Sequence, residues 1–370
     1  MKKILKKCST VSLCIIGIGI VLLVIGLLFG GRLGFTLDIR GHKVITKDTK
    51  EETYVEKTLD LDAFSKLELN VGTEVELKRG DTYQIQYYLL ESEVPTIEVK
   101  DESLTVKSKD GEFDLANHIV SFQFFDFEWT NSNTEKEGIV ITIPKDVELS
   151  EANIKVEAGN VRLTDLIINK AYVSSAYGDV EISNFTSDEM NVLTESGDTT
   201  LTNVAMKQGM VTNEYGELTV KGCSGENSTL ILESGNCWME DLKMDQLQVT
   251  NQYGDVELKK STLNSYEADC ESGEIKMEDC TVKKTNLNAE YGDIDIEKSI
   301  VDQIQAVCES GDTEIDLQGL LSEYDMDLVT ESGRITINDQ ENGEQYKNIT
   351  NKGKSITVKN EYGDIEILVK

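Results

Sequence analysis

Beyond residue 150 apolar and polar residues alternate in short runs, and the runs recur at a fixed interval. Aligned on Gly159, Gly178, Gly197, Gly216, Gly235, Gly254, Gly273, Gly292 and Gly311, the copies lie 19 residues apart, and looser copies follow at Gly333 and Gly363 after insertions. Five residues before each glycine the column reads Ile154, Val173, Val192, Val211, Leu230, Val249, Ala268, Leu287, Ala306, Leu328 and Val358. Four residues after it the column reads Leu163, Ile182, Leu201, Val220, Met239, Leu258, Met277, Ile296, Ile315, Ile337 and Ile367. Within each flank the apolar positions alternate with polar ones, the period of strands rather than helices. No segment past residue 35 keeps a helical period.

Copies this short cannot bury a core alone, so the pattern predicts an all-β fold: a parallel β-solenoid of about eleven coils over residues 151–370, each copy one coil. Coils about 4.8 Å apart would make it about 50 Å long. The recurrent glycine marks the turn, where a positive φ is cheapest without a Cβ. Residues 56–150 are β-rich but irregular and are expected to supply an N-terminal cap with degenerate coils. The sequence stops at IEILVK, inside what reads as the last strand; an open edge there would allow end-to-end self-association.

The first residues follow another rule. Cys8–Phe29 carries no charge and is long enough to cross a bilayer as a helix, giving a cytoplasmic tail over 1–7, a transmembrane helix over 8–30 and a juxtamembrane linker over 31–55. Lys2, Lys3, Lys6 and Lys7 place the N-terminus in the cytoplasm and the bulk of the chain outside. A cleaved secretory signal is the competing reading, and it also exports the rest.

Charge then narrows the partners. The formal net charge is -32; residues 1–35 hold five basic and no acidic side chains, so the remainder carries -37. Nucleic acid and anionic lipid surfaces are excluded as partners by repulsion. With only His42 and His118, His-based catalysis has almost nothing to work with.

Much of the negative charge flanks the turn glycines. Glu stands two before Gly in most copies, and Asp or Glu follows it in eight. Stacked in register, like charges repel, so either water screens them or cations bind. Calcium, which takes several oxygen ligands, makes Glu195, Asp198, Glu214, Glu217, Glu271, Glu274, Glu290, Asp293, Glu309 and Asp312 its candidate ligands; no other cofactor is indicated. Between the two acid columns Tyr and Ser alternate: Tyr177, Ser196, Tyr215, Ser234, Tyr253, Ser272, Tyr291, Ser310. The alternation reads either as packing that avoids crowded rings or as a sugar-stacking strip. Cys223, Cys237, Cys270, Cys280 and Cys308 read as small buried hydrophobes, spaced too far apart in the stack for disulfides. IVSFQFFDFEW at 119–129 reads as cap core, with a partner-binding strand as the alternative.

At IVITIPKDVELSEANIKVEAGNVRL a strand ending in Ile-Pro, a short link and a strand leading into Gly-Asn-Val resemble the bacterial "putative adhesin" family, a β-strand-repeat domain common in Firmicutes and often joined to one membrane helix. The resemblance spans about residues 60–370. It implies an envelope-associated surface protein in a Gram-positive cell, and it brings no catalytic residues. The expected function is therefore an extracytoplasmic adhesin or cell-envelope binding module, not an enzyme, whose partner is a cell-wall polymer, a glycan or an envelope protein. An accessory role in envelope-stress sensing is the alternative. A polysaccharide-active β-helix enzyme is disfavoured, because such a site would need two differently tuned carboxylates rather than identical stacked ones.

Overall fold

The computed structural model describes residues 34–38, 43–45, 53–108, 120–123 and 137–370, which fall into two units. The membrane segment 8–30 and most of the aromatic stretch 119–129 lie outside the described residues. Among the described residues no helix is long and apolar enough to cross a membrane. In the first unit, Gly34–Asp38 pairs antiparallel with Lys43–Ile45 on one side and Val120–Gln123 on the other. Gly34–Asp38 and Lys43–Ile45 thus fall within the expected juxtamembrane linker, 31–55.

The second unit, Tyr54–Lys109 with Lys136–Lys370, is all-β and carries one short 3-10 turn, Leu321–Glu323, among its described residues. The alternation dictates its plan. After Gly216 the chain makes a short arm, Leu218–Lys221, turns a corner at Gly222, and runs a long arm, Ser224–Ser234, to the next glycine turn. Each arm pairs in parallel with the equivalent arm 19 residues before and after it. Leu218, Val220, Leu230 and Leu232 face the shared interior, and Thr219 and Ile231, which alternate with them, lie half-buried. The parallel stack agrees with the expected solenoid.

The corner six residues after the turn glycines from Gly159 to Gly292 was not anticipated. Asp165, Asn184, Asn203, Gly222, Asp241, Lys260, Asp279 and Lys298 all have φ between 47° and 64° there. Asn and Asp tolerate this left-handed conformation better than most side chains, which accounts for five of the eight.

Polar side chains inside the stack serve these turns. Three before Gly, Asn213, Asn251 and Asn360 donate from Nδ2 to the carbonyls of Gly197, Gly235 and Gly311. Cys270 and Cys308 occupy the same column, with Sγ 3.4 and 3.3 Å from the carbonyls of Gly254 and Gly292. Seven after Gly, Cys223 and Cys280 sit where other coils have Ser261 and Ser299, and all four donate to the backbone carbonyl two residues earlier. These four thiols are thus more than the small hydrophobes expected: each replaces a hydroxyl or amide donor. All five cysteines outside the 1–35 segment are buried and free of disulfides, and burial pushes the Cys270, Cys280 and Cys308 thiols up to about 11.

Both ends depart from a simple stack. Two further rungs precede the expected eleven copies: Lys66–Val71 with Val75–Gly80 stacks on the Gly159 coil, and Ser103–Lys107 with Gly138–Pro144 stacks beyond it. Antiparallel strands then cover this end, Thr96–Lys100 on the long arm and Gln84–Leu90, backed by Tyr54–Asp60, on the short arm.

At the other end the final arms, Lys354–Tyr362 and Ile365–Val369, do not lie outermost. They slot between the coil of Gly311 and the coil of Gly333, pairing in parallel with both. Gln345–Asn348 and Gln340–Glu341 then cover the Gly333 coil antiparallel. IEILVK is therefore paired on both sides and is not the open edge expected from the sequence. The premise for end-to-end association through that strand falls with it.

Candidate functional site: the turn column

The outer surface of the turns brings three columns side by side: Glu two before Gly, Tyr or Ser just before it, and Asp, Asn or Glu just after it. Backbone register fixes them. Tyr177 pairs with Ser196, Ser196 with Tyr215, and so on through Ser310, because every coil has the same length.

The column after Gly is a hydrogen-bonded ladder. Oδ1 of Asn160 accepts the backbone N–H of Asp179 at 2.9 Å, and Oδ1 of Asp179 accepts that of Asp198 at 3.0 Å. Asp198, Asn236, Asp255, Asp293, Asp312 and Asp364 accept the corresponding N–H of the next rung in the stack in the same way. A short side chain with one acceptor oxygen is what the geometry uses, so Asn and Asp alternate freely. Glu217 and Glu274 donate to the ladder but accept nothing from the next rung in it; their extra methylene displaces the carboxylate.

This arrangement bears on calcium. Asp198, Asp293 and Asp312 already spend one oxygen on backbone, while Glu195, Glu214, Glu271, Glu290 and Glu309 stand on the other side of the turn. Among the described residues no three His, Cys, Asp or Glu side chains converge as a metal would require. Burial raises the pKa of Glu274, a further obstacle to charge accumulation there. Calcium and magnesium at equal ionic strength are expected to move the melting temperature by the same small amount, as screening alone would. A calcium-specific rise would show that the columns rearrange to ligate.

The tyrosines are not packed away. Tyr177, Tyr215, Tyr253, Tyr291 and Tyr362 are each 54% to 60% exposed. Glu233 of the next rung, with a smaller contribution from Glu214, raises the pKa of Tyr215, whose backbone neighbour in that rung is Ser234. The small residue between rings thus makes room for them without covering them.

A second charged surface lies on the short arms, where acid and base alternate along the stack. Lys276 Nζ lies 2.8 Å from Asp295 and also meets Glu297, while Lys259 joins Glu257 and Glu278. Lys260 and Lys221 hold Glu240 down at about 2. Asp295 is shifted the other way by burial. These acids are paired with lysines, whereas in the turn column the ion pair is Arg334 with Asp364 at its last rungs.

A family model described as Toastrack DUF4097 matches residues 64–278 and 216–368, overlapping spans that cover most of the chain and both arms of the stack. The chain belongs to the Toastrack DUF4097 family. This agrees with the adhesin-like β-repeat resemblance read from the IVITIPKD segment. Solved structures similar to this Toastrack chain include a "putative adhesin" from Bacteroides fragilis NCTC 9343, at 15% identity and TM-score 0.33 over 69% of this chain and 97% of that one. Two from Parabacteroides distasonis ATCC 8503, a "putative lipid binding protein" and a "putative adhesin", are each 12% identical over 86% of this chain and 98% of theirs, at TM-scores of 0.33 and 0.27. No curated protein matches the sequence.

Proposed function

We propose that this Toastrack chain is a non-catalytic binding module of the bacterial cell envelope, anchored by the 8–30 segment and presenting its coil stack outside the cell. The observation that carries the reading is the uniformity of the turn column. A carboxylate beside a small or aromatic residue recurs at rung after rung, with an Asp or Asn ladder through most of them, as suits avidity along a long repetitive partner. Hydrolysis of a polysaccharide would need one rung unlike the others, with two carboxylates in different environments about 5–9 Å apart. Glu240, the acid held furthest from its ordinary range, is engaged by Lys221 and Lys260 instead. A solenoid surface of this kind favours extended polymers, so cell-wall polymers and glycans lead as partners, with an envelope protein after them.

The test is cosedimentation of the full chain with purified cell-wall sacculi, alongside release of reducing ends from the same material. Binding without turnover is expected. Turnover abolished by one Asp or Glu substitution would replace the binding module with an enzyme, and absence of cosedimentation with any wall fraction would remove the polymer as partner.

A further inference from the structure

The Tyr/Ser alternation fails in chain order at the end of the sequence, where the last three copies read Ser310, Ser332, Tyr362. In space it is restored. Because the final arm is slotted inward, Tyr362 pairs with Ser310 on one side and Ser332 on the other. Duplication of a two-coil unit would have left the alternation in chain order. Its recovery only in the stacked order shows that the spacing of rings, rather than the history of the repeats, is what the residues satisfy.

That spacing has a definite length. Two rungs separate successive rings, about 9.6 Å. Five rings, Tyr177, Tyr215, Tyr253, Tyr291 and Tyr362, thus make a strip about 38 Å long, all half or more exposed. In a β-1,4-linked hexose polymer successive sugars are turned by half a revolution, so one apolar face recurs once per disaccharide, a length close to that of two rungs. Aromatic faces stack on such apolar sugar faces. The flanks choose among these polymers. Glu195, Glu214, Glu233, Glu271, Glu290 and Glu309 line one side, and the Asp, Asn and Glu column lines the other, ending at the Arg334–Asp364 ion pair. Anionic polymers are repelled along the whole strip, whereas ammonium groups on the sugars would meet carboxylates at every rung.

We propose that the tyrosine column is a binding strip for a β-1,4-linked glucosamine polymer, with one ring under every second sugar. The proposal rests on the binding-module reading above and supplies its ligand class. Tyr rings provide the register, and the acid columns provide the preference for free over acetylated amines.

The test uses full-length protein in detergent, titrated with chitosan oligomers of four to ten sugars, the matching chitin and cellulose oligomers, hyaluronan and polylysine. Affinity for chitosan is expected to climb with each added disaccharide, with hyaluronan silent. Tyr253→Ser should cost about three- to tenfold and Tyr253→Phe almost nothing, since the ring face rather than the hydroxyl is used. Tyr253 is more than half exposed, and an unchanged melting temperature of both variants confirms folding. Chitosan binding indifferent to Tyr253→Ser and matched by polylysine would overturn the strip and leave charge alone. Binding of wall sacculi with no response to any of these oligomers would overturn the strip while sparing the module; silence in both would sink the two together.

Discussion

Gly254→Ala is expected to lower stability by about 3–5 kcal/mol, enough to break the cooperative unfolding of the stack, whereas Gly72→Ala should cost less than about 1 kcal/mol. Both glycines lie in the turn between a long and a short arm, Gly254 at the stacked glycine position and Gly72 just after Val71, which pairs with Val156. At Gly254 φ is +133°, and an added Cβ would lie 2.3 Å from the carbonyl oxygen of Gly235 in the rung before it. That oxygen cannot retreat, because Asn251 donates to it and the backbone on both sides is laddered. Gly273 meets Gly254 in the same way, so strain at one rung passes to the next. At Gly72 nothing lies within 4 Å of the Cβ position. Urea unfolding of the two variants measures the difference; equal small losses would mean that the turns are not stacked glycine on glycine.

Ending the chain at Gly353 is expected to be far more damaging than removing an outermost strand. The deleted arms carry Ile356, Val358, Ile365 and Ile367, all fully buried, and their loss costs about 6 kcal/mol or more from transfer alone. Removal also strands the Gly333 coil, which reaches the rest of the stack through Lys354–Tyr362 and Ile365–Val369. Hydrogen exchange should then show residues 320–353 losing protection while the coils up to Gly273 keep theirs. Protection of 324–337 comparable to the intact chain would refute the interleaved order.

Much of this was legible in the sequence. The glycine period, the two apolar columns and the parallel stack follow from spacing, because coils of equal length leave register no freedom. The left-handed corner was also written there, in the Asn and Asp recurring at 165, 184, 203, 241 and 279, but two lysines and a glycine in the same column obscured it. The interior donor column was hidden by chemistry: Cys270 and Cys308 look apolar beside Asn251 and Asn360 until the turn carbonyls they serve are in place. The order of the final rungs was the least accessible. Longer spacing before Gly333 and Gly363 signalled insertions without saying which copy stacks on which, and that choice depends on covering the end with a hairpin. The exposure of the tyrosines was likewise open, since a ring beside a serine can lie flat on it or stand clear.

The inward placement of the last arm, together with the matching arrangement at the first rungs, confines variation in length to the middle of the chain. A pair of coils duplicated anywhere between Gly178 and Gly292 would lengthen the molecule while both lids stayed as they are, and it would add one ring in phase with the others. The stack can therefore serve as a ruler graduated in two-rung divisions, which relatives could extend or shorten without redesigning either end.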